Sequence, residues 1–86
     1  SENYSVFAPR LEIINYYMEE LRKYGWEFIA EEDNVEKSNG KKVEEKYIFR
    51  NGTYELQISF PVETTVNFEG VVYEKSYYII VFPINR

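Results

Sequence analysis

The sequence predicts an α+β fold in which one N-terminal helix packs on a four-stranded antiparallel sheet. Three features predict it: apolar residues at helical spacing near the N-terminus, alternation of apolar and polar residues after Trp26, and glycines where the chain should reverse. A chain of 86 residues is long enough for one core, so residues 1–86 are expected to form a single domain. We therefore expect a two-layer structure, helix on meander sheet.

The helix is predicted to begin near Pro9 and to end before Gly25. Proline suits a first helical turn because its missing N–H would have no partner there. Glycine suits the left-handed conformation that ends many helices. The apolar stripe between them comprises Leu11, Ile14, Tyr17, Met18, Leu21 and Tyr24.

The hairpins are predicted from Asn39-Gly40 and Asn51-Gly52, because the type I′ turn of a two-residue hairpin needs two residues with positive φ. In that register residue 37 faces residue 42, residue 50 faces residue 53, and Asp33 lies beside Lys46. The third strand then buries Leu56, Ile58 and Phe60, and its alternation continues through Pro61 to Phe68. On the same face, Glu45 is the one acid among apolar residues. A turn at Glu69-Gly70 pairs residue 68 with residue 71 and starts the last strand, from about Val71 to Phe82.

This order of a helix followed by an antiparallel meander resembles the cystatin architecture. Cystatins inhibit papain-like proteases through a hairpin with the sequence Q-x-V-x-G. The turns of this chain read Ser38-Asn39-Gly40-Lys41 and Arg50-Asn51-Gly52-Thr53. The resemblance therefore implies an architecture and no inhibitory motif.

The composition excludes several classes of catalytic site. Sixteen residues are aromatic (nine Tyr, six Phe and one Trp), whereas His and Cys are absent. Without them the chain has no Ser-His-Asp or Cys-His arrangement, no thiolate or imidazole metal site and no disulfide. The four glycines are dispersed and form no phosphate-binding loop. We therefore expect no enzymatic activity, no cofactor and no metal.

The expected location is the cytoplasm. No basic segment followed by an apolar run marks a signal peptide at the N-terminus. The longest apolar stretch, 77–84, is far too short to span a membrane, so no membrane association is expected.

A predicted acidic surface lies in the first strand after the helix, where four carboxylates occur within six residues. They are Glu31, Glu32, Asp33 and Glu36. Such a cluster could hold a hard cation, but it lacks the spacing of a calcium-binding loop. In a strand, moreover, Glu31 and Asp33 face away from Glu32, so a solvated edge is the favoured interpretation.

A basic hairpin interrupts the acidic domain. By the predicted register its outward residues are Lys37, Lys42, Lys46 and Arg50, with Lys41 at the tip. They could contact an anion or a nucleic acid, but acidic residues are interleaved among them, which favours a salt-bridged solvent face. The net charge of −5 opposes binding by phosphate neutralisation, so direct nucleic-acid binding is not expected.

The last strand is predicted to be apolar on both faces. Pairing residues 68 and 71 places Tyr73, Tyr77, Ile79 and Val81 on the core side. The outer side then receives Val72, Tyr78, Ile80 and Phe82. An uncovered strand of this kind promotes aggregation. Its cover could be the N-terminal segment with Tyr4, Val6 and Phe7, a second copy of the chain, or another protein.

Two functional hypotheses remain. The first is a small non-enzymatic interaction or regulatory protein that binds a protein partner, or itself, through the acidic surface, the outer side of the last strand, or both. One version is an inhibitor of a nucleic-acid-handling complex, with carboxylates placed where phosphates would bind. The alternative is a small-ligand-binding module with a tyrosine-lined pocket between helix and sheet.

Overall fold

The computed structural model describes residues 2–84, which form one helix and a six-stranded antiparallel sheet. The predicted α+β class is confirmed, but the predicted count of four strands is wrong. In chain order the elements are β1 (Glu2–Pro9), α1 (Arg10–Lys23), β2 (Glu27–Val35), β3 (Lys42–Asn51), β4 (Tyr54–Pro61), a 3₁₀ turn (Val62–Thr64), β5 (Thr65–Phe68) and β6 (Val71–Pro83).

The long strand β6 organises the sheet. Along the sheet the order is β1-β6-β4-β3-β2, and β5 also pairs with β6. One edge of β6 pairs with β1 through residues 73–79, and the other is shared between β5 (71–74) and β4 (78–83). The N-terminal segment is thus a strand that covers an edge of the apolar last strand.

The second additional strand arises because the predicted third strand is broken in two. Pro61 has no N–H to donate to the sheet, and the chain leaves the ladder there for the 3₁₀ turn. Thr65 then resumes the strand conformation as the start of β5.

Helix α1 ends as predicted. The N–H of Trp26 donates to the carbonyl of Leu21 (3.0 Å) and that of Gly25 to the carbonyl of Arg22 (3.1 Å), which together form a Schellman motif. Gly25 has the positive φ of 89° that this motif requires. The fourteen-residue helix is too short to cross a membrane, and it is the only helix longer than one turn in residues 2–84.

The buried stripe of the helix differs from the predicted one. Ile13 and Ile14 are buried, whereas Leu11 is 70% exposed and Tyr24 is 75% exposed. The stripe includes Arg10, whose guanidinium lies 5.1 Å from the centre of the Phe60 ring. Hydropathy places arginine on the solvent side of a helix. The apolar pattern therefore predicted the wrong buried residues in the first turn.

The core lies between α1 and the middle of the sheet. The side chains that β4 was predicted to bury are buried, which confirms its faces. The buried cluster consists of Ile13, Ile14, Phe49, Leu56, Ile58, Phe60 and Tyr77.

The register of the β3–β4 hairpin is shifted by two residues from the prediction. Asn51 faces Tyr54, so that Gly52 and Thr53 form the turn. Only Gly52 has positive φ, 59°, where a type I′ turn would need a second such residue. A shift of two leaves each side chain on its predicted face, which is why the buried residues were still correct.

The β2–β3 connection is a six-residue loop, residues 36–41, and not a two-residue turn. Val35 faces Lys42, so the predicted pairing of residues 37 and 42 is wrong. The side chain of Asn39 accepts a hydrogen bond from the N–H of Lys41 (2.8 Å), which stabilises a wider turn. Lys46 consequently lies opposite Glu32 and not opposite Asp33.

The turn with two positive φ angles is formed instead at Glu69-Gly70. Their φ values are 51° and 79°, and Phe68 pairs with Val71 as predicted. A type I′ turn therefore starts β6, with glutamate at a position that Asn or Gly usually fills.

The two faces of β6 exchange within the strand. Tyr77 belongs to the core beside α1, yet Glu74 also points to the helix side, where it contacts Arg10. The register with β1 shifts in the same region, between Ser5 and Ala8. As a result Tyr73 stacks on Phe7 at 5.2 Å, away from the helix.

Val72 is displaced by the same exchange of faces. It lines a cleft beside the helix, together with Ile14 and Met18. The predictions that Tyr73 faces the core and Val72 faces outward are therefore both wrong.

Candidate binding cleft and acidic edge strand

The helix covers only part of the sheet. Five neighbouring strands span roughly 20 Å, whereas a helix with its side chains is about 10 Å across. The uncovered part forms an open cleft of about 580 Å³, which lies between α1, the β2–β3 pair and the β5–β6 turn. Its lining residues are Pro9, Arg10, Leu11, Ile14, Asn15, Met18, Glu31, Tyr47, Gly70, Val71 and Val72. We call it the α1–β3 cleft.

A network of charges underlies one end of this cleft. Arg10 donates from Nε to Glu74 Oε2 (2.5 Å), and its Nη1 lies 3.1 Å from Glu45 Oε2. The other oxygen of Glu74 accepts a hydrogen bond from the hydroxyl of Thr65 (2.7 Å). Glu45 also lies 3.5 Å from Lys42. The acid that the sequence placed among apolar residues is thus one partner of a buried arginine.

Burial and charge pairing shift the pKa values of Arg10 and Glu45 in opposite directions. The side chain of Glu74 is 0% exposed and that of Arg10 is 12% exposed. Burial lowers the pKa of Arg10, but its hydrogen bonds and charge contacts with Glu45 and Glu74 outweigh this effect and raise it overall. For Glu45, burial raises the pKa, but Arg10 and Lys42 prevail and hold it below its ordinary value. Arg10 and Glu45 therefore both stay charged at neutral pH.

Tyr47 and Glu31 form the polar wall of the cleft. They face each other across the β2–β3 pair. The ring of Tyr47 packs edge-on against Phe60 at 5.8 Å, so that the ring is fixed. Burial, and then the charge of Glu31, raise the pKa of the Tyr47 phenol against the opposing effect of Arg10. Tyr47 is thus a protonated phenol, able to donate and to accept.

The cleft fits the predicted pocket between helix and sheet only in position. Tyr47 is the single tyrosine among the lining residues. The hydroxyls of Tyr17 and Tyr77 instead lie 2.8 Å apart inside the structure, and Tyr4 stacks on Tyr77 at 4.9 Å. Tyr77 therefore belongs to the core, and Tyr4 and Tyr17 pack against it and do not line a pocket.

Hydropathy periodicity alone does not reveal the role of Arg10. Two discordant residues could have identified it: a cation next to the apolar stripe of the helix, and Glu45 on the apolar face of a strand. When two faces that pack together carry opposite charges, each charge offsets the free-energy cost of burying the other. Each residue alone is an exception to the pattern, whereas together they predict an ion pair.

The predicted acidic surface lies on β2, the strand at the end of the sheet. Eight of the nine residues of β2 are exposed. Glu31 and Asp33 lie on the helix side, since Glu31 lines the cleft and Asp33 lies 3.9 Å from Lys42. Glu32 faces Lys46 on the opposite side, and Glu36 lies in the following loop. The four acids therefore border the sheet edge from both sides and do not form one patch.

The predicted basic face is partly neutralised. Arg50 lies 3.1 Å from Glu55, and Lys42 reaches Asp33 and Glu45 on the helix side, not the outer face. The remaining two lysines are Lys46, opposite Glu32 and Ser59, and Lys37, in the exposed loop. These contacts favour the salt-bridged solvent face over an anion site.

The outer side of β6 keeps three of its predicted residues, Tyr78, Ile80 and Phe82, all half-buried. Ile80 faces Gln57 and Phe82 faces Glu55 on β4, while the Tyr78 hydroxyl donates to the carboxylate of Glu44. One edge of this strand pairs with β4 through residues 78–83, whereas β1 covers the other edge only as far as Ile79. Within residues 2–84 the backbone beside Ile80 and Phe82 therefore has no partner strand on that second edge. That these side chains contact another protein stays a prediction.

No three acidic side chains within residues 2–84 converge on a point where a metal ion could be held. Comparison of the chain with protein-family models, curated proteins and solved structures gave no match.

Proposed function

We propose that this protein is a non-enzymatic binding protein that receives a protein partner along β2. The observation that carries this proposal is the place of β2 in the sheet. Within residues 2–84 it pairs only with β3, and it is exposed along nearly its whole length. A strand in this position can accept a further strand from another protein through backbone hydrogen bonds.

The segment best suited to such pairing is 30–34. The register of β2 shifts on either side of it, between Phe28 and Ala30 and between Asn34 and Val35, but is regular in between. Bulges interrupt edge-to-edge pairing, so an added strand would pair with these five residues. Three of the five are acids with side chains on both faces of the sheet, and they select a basic strand.

The same charges argue against a second copy of the chain on this edge. Pairing β2 with β2 would bring carboxylates opposite carboxylates, which is destabilising. The partner is therefore a different protein with basic residues on an exposed strand or in a groove. Proteins that handle nucleic acids carry such surfaces, and the carboxylates of β2 would there occupy positions meant for phosphates. Inhibition of such a protein is the specific role that we propose.

The test uses a peptide of alternating lysine and valine, acetyl-Lys-Val-Lys-Val-Lys-Val-Lys-amide, with a matched peptide in which glutamate replaces lysine. We expect saturable binding of the lysine peptide, with slower amide hydrogen exchange within residues 30–34, because outward N–H groups gain partners. Binding should weaken as NaCl rises from about 50 mM to about 500 mM.

Two charge-reversed variants separate the edge from the overall charge. The triple variant Glu31→Lys, Glu32→Lys, Asp33→Lys should lose binding. The matched variant Glu12→Lys, Glu19→Lys, Glu63→Lys changes the net charge equally at exposed positions elsewhere and should retain it. Equal loss in both variants, or exchange protection outside residues 30–34, would contradict the proposal.

A further inference from the structure

The α1–β3 cleft has an electronegative end. Arg10 and Lys42 provide two positive charges, while four carboxylates lie among their contacts and the lining residues: Glu31, Asp33, Glu45 and Glu74. The net charge of this group is −2. Glu31 is the carboxylate that lines the cleft directly, and no lysine or arginine within residues 2–84 forms an ion pair with it. A cation is therefore favoured at this end and an anion is disfavoured.

The rest of the cleft is apolar and unusually exposed. Leu11, in the first turn of the helix, is 70% exposed. Val71, another residue of the lining, is 41% exposed. Ile14 and Met18 continue this wall along the helix. An apolar body lying against these side chains would remove the exposed area from water. The volume of about 580 Å³ lies in the range of small-molecule sites.

We propose that the α1–β3 cleft binds a small amphipathic cation, an alkyl or aryl ammonium ion whose charge contacts Glu31 and whose apolar body lies against Leu11 and Val71. The fixed ring of Tyr47 stands beside Glu31, where its phenol can accept a hydrogen bond from the ammonium and its π-face can attract the charge. This site shares Glu31 with the partner edge, but it differs from that edge because the ligand lies on the helix side of the sheet and pairs with no backbone.

Three probes with the same chain length test the charge preference: n-octylammonium, octan-1-ol and octanoate. Binding is followed by amide chemical shifts of the isotope-labelled protein. We expect saturable shifts at Leu11, Met18, Tyr47 and Val71 with octylammonium. The alcohol should bind roughly fivefold more weakly, because it lacks the ion pair, and octanoate should not bind saturably.

The variant Glu31→Gln should reduce the affinity for octylammonium to that for octanol and leave the affinity for octanol unchanged. Its control is Glu32→Gln, one residue away on the opposite face, which should not affect either probe. Leu11→Ser at an exposed position should weaken both probes without unfolding the chain. Octanoate binding as tightly as octylammonium, or equal effects of the two Gln variants, would overturn the proposal. The Lys-Val peptide should respond to Glu32→Gln, so failure of this site and failure of the β2 edge are distinguishable.

Discussion

The buried carboxylate of Glu74 should be among the most sensitive positions in the protein. Replacing it with alanine leaves the Nε of Arg10 without its acceptor in a site where Arg10 is almost fully enclosed. Another nitrogen of the same guanidinium, Nη2, is already buried and has no hydrogen-bond partner among residues 2–84, so Arg10 gains no compensating hydrogen bond from them. Removing one member of a buried ion pair costs about 3–5 kcal/mol. We expect about 3 kcal/mol, since Glu45 remains in contact with Arg10.

Such a loss is large for a domain of this size. Stabilities of roughly 0.05–0.15 kcal/mol per residue give the whole protein about 4–13 kcal/mol. Circular dichroism during thermal and urea unfolding measures the change, and a loss of about 3 kcal/mol lowers Tm by roughly 12–24 °C.

Two further variants separate charge pairing from packing. Glu74→Gln keeps an acceptor for Arg10, and its amide can donate to the Thr65 hydroxyl, which then donates to the carbonyl of Pro61 (2.9 Å). It should therefore cost only about 1–2 kcal/mol. The double variant Arg10→Met, Glu74→Met replaces the pair with apolar volume and should return to within about 1 kcal/mol of the parent. A cost below about 1 kcal/mol for Glu74→Ala, or a double variant as unstable as the single one, would refute this reasoning.

Two other predictions concern the β5–β6 turn and the acid side of the stability profile. Glu69→Asn should stabilise the protein by about 0.5–1 kcal/mol, because asparagine tolerates the positive φ of 51° better than glutamate; an unchanged urea midpoint would count against it. Glu45 has a lowered pKa, so the stability that it contributes is present above its unfolded value of about 4.5 and is lost as the pH falls through the folded value. The stability difference between the parent and Glu45→Gln should therefore shrink below about pH 4.5, and a pH-independent difference would contradict this assignment.

The fold class and the buried face of β4 could be predicted because they depend on periodicity, which tolerates small errors. The β3–β4 hairpin shows this: its register was wrong by two residues, yet Leu56, Ile58 and Phe60 lie where they were expected. The β2–β3 loop, in contrast, was predicted wrongly as a two-residue turn. There the Asn39 side chain satisfies the backbone in a wider turn, and an Asn-Gly pair alone does not specify which turn forms.

The α1–β3 cleft could not be predicted in detail, because it depends on long-range contacts. Arg10 and Glu74 are 64 residues apart in the chain, and the exchange of faces in β6 brings Glu74 to the helix side. The same exchange turned Val72 into the cleft and Tyr73 away from it. The acidic edge was easier to predict, because the exposure of charged residues on a border strand follows from local composition.

The pairing of β1 with β6 has a consequence for how the chain folds. Tyr4 and Tyr77, which face each other in this pair, are separated by 73 positions in the sequence. Contacts between such distant residues form slowly, because the loop that closes them is long, whereas the β3–β4 hairpin closes over two residues. We therefore expect the hairpin to form early and β1 to dock late. Until β1 arrives, a partly folded chain displays an open apolar edge of β6, and the rate of that last step sets how long the protein is vulnerable to aggregation.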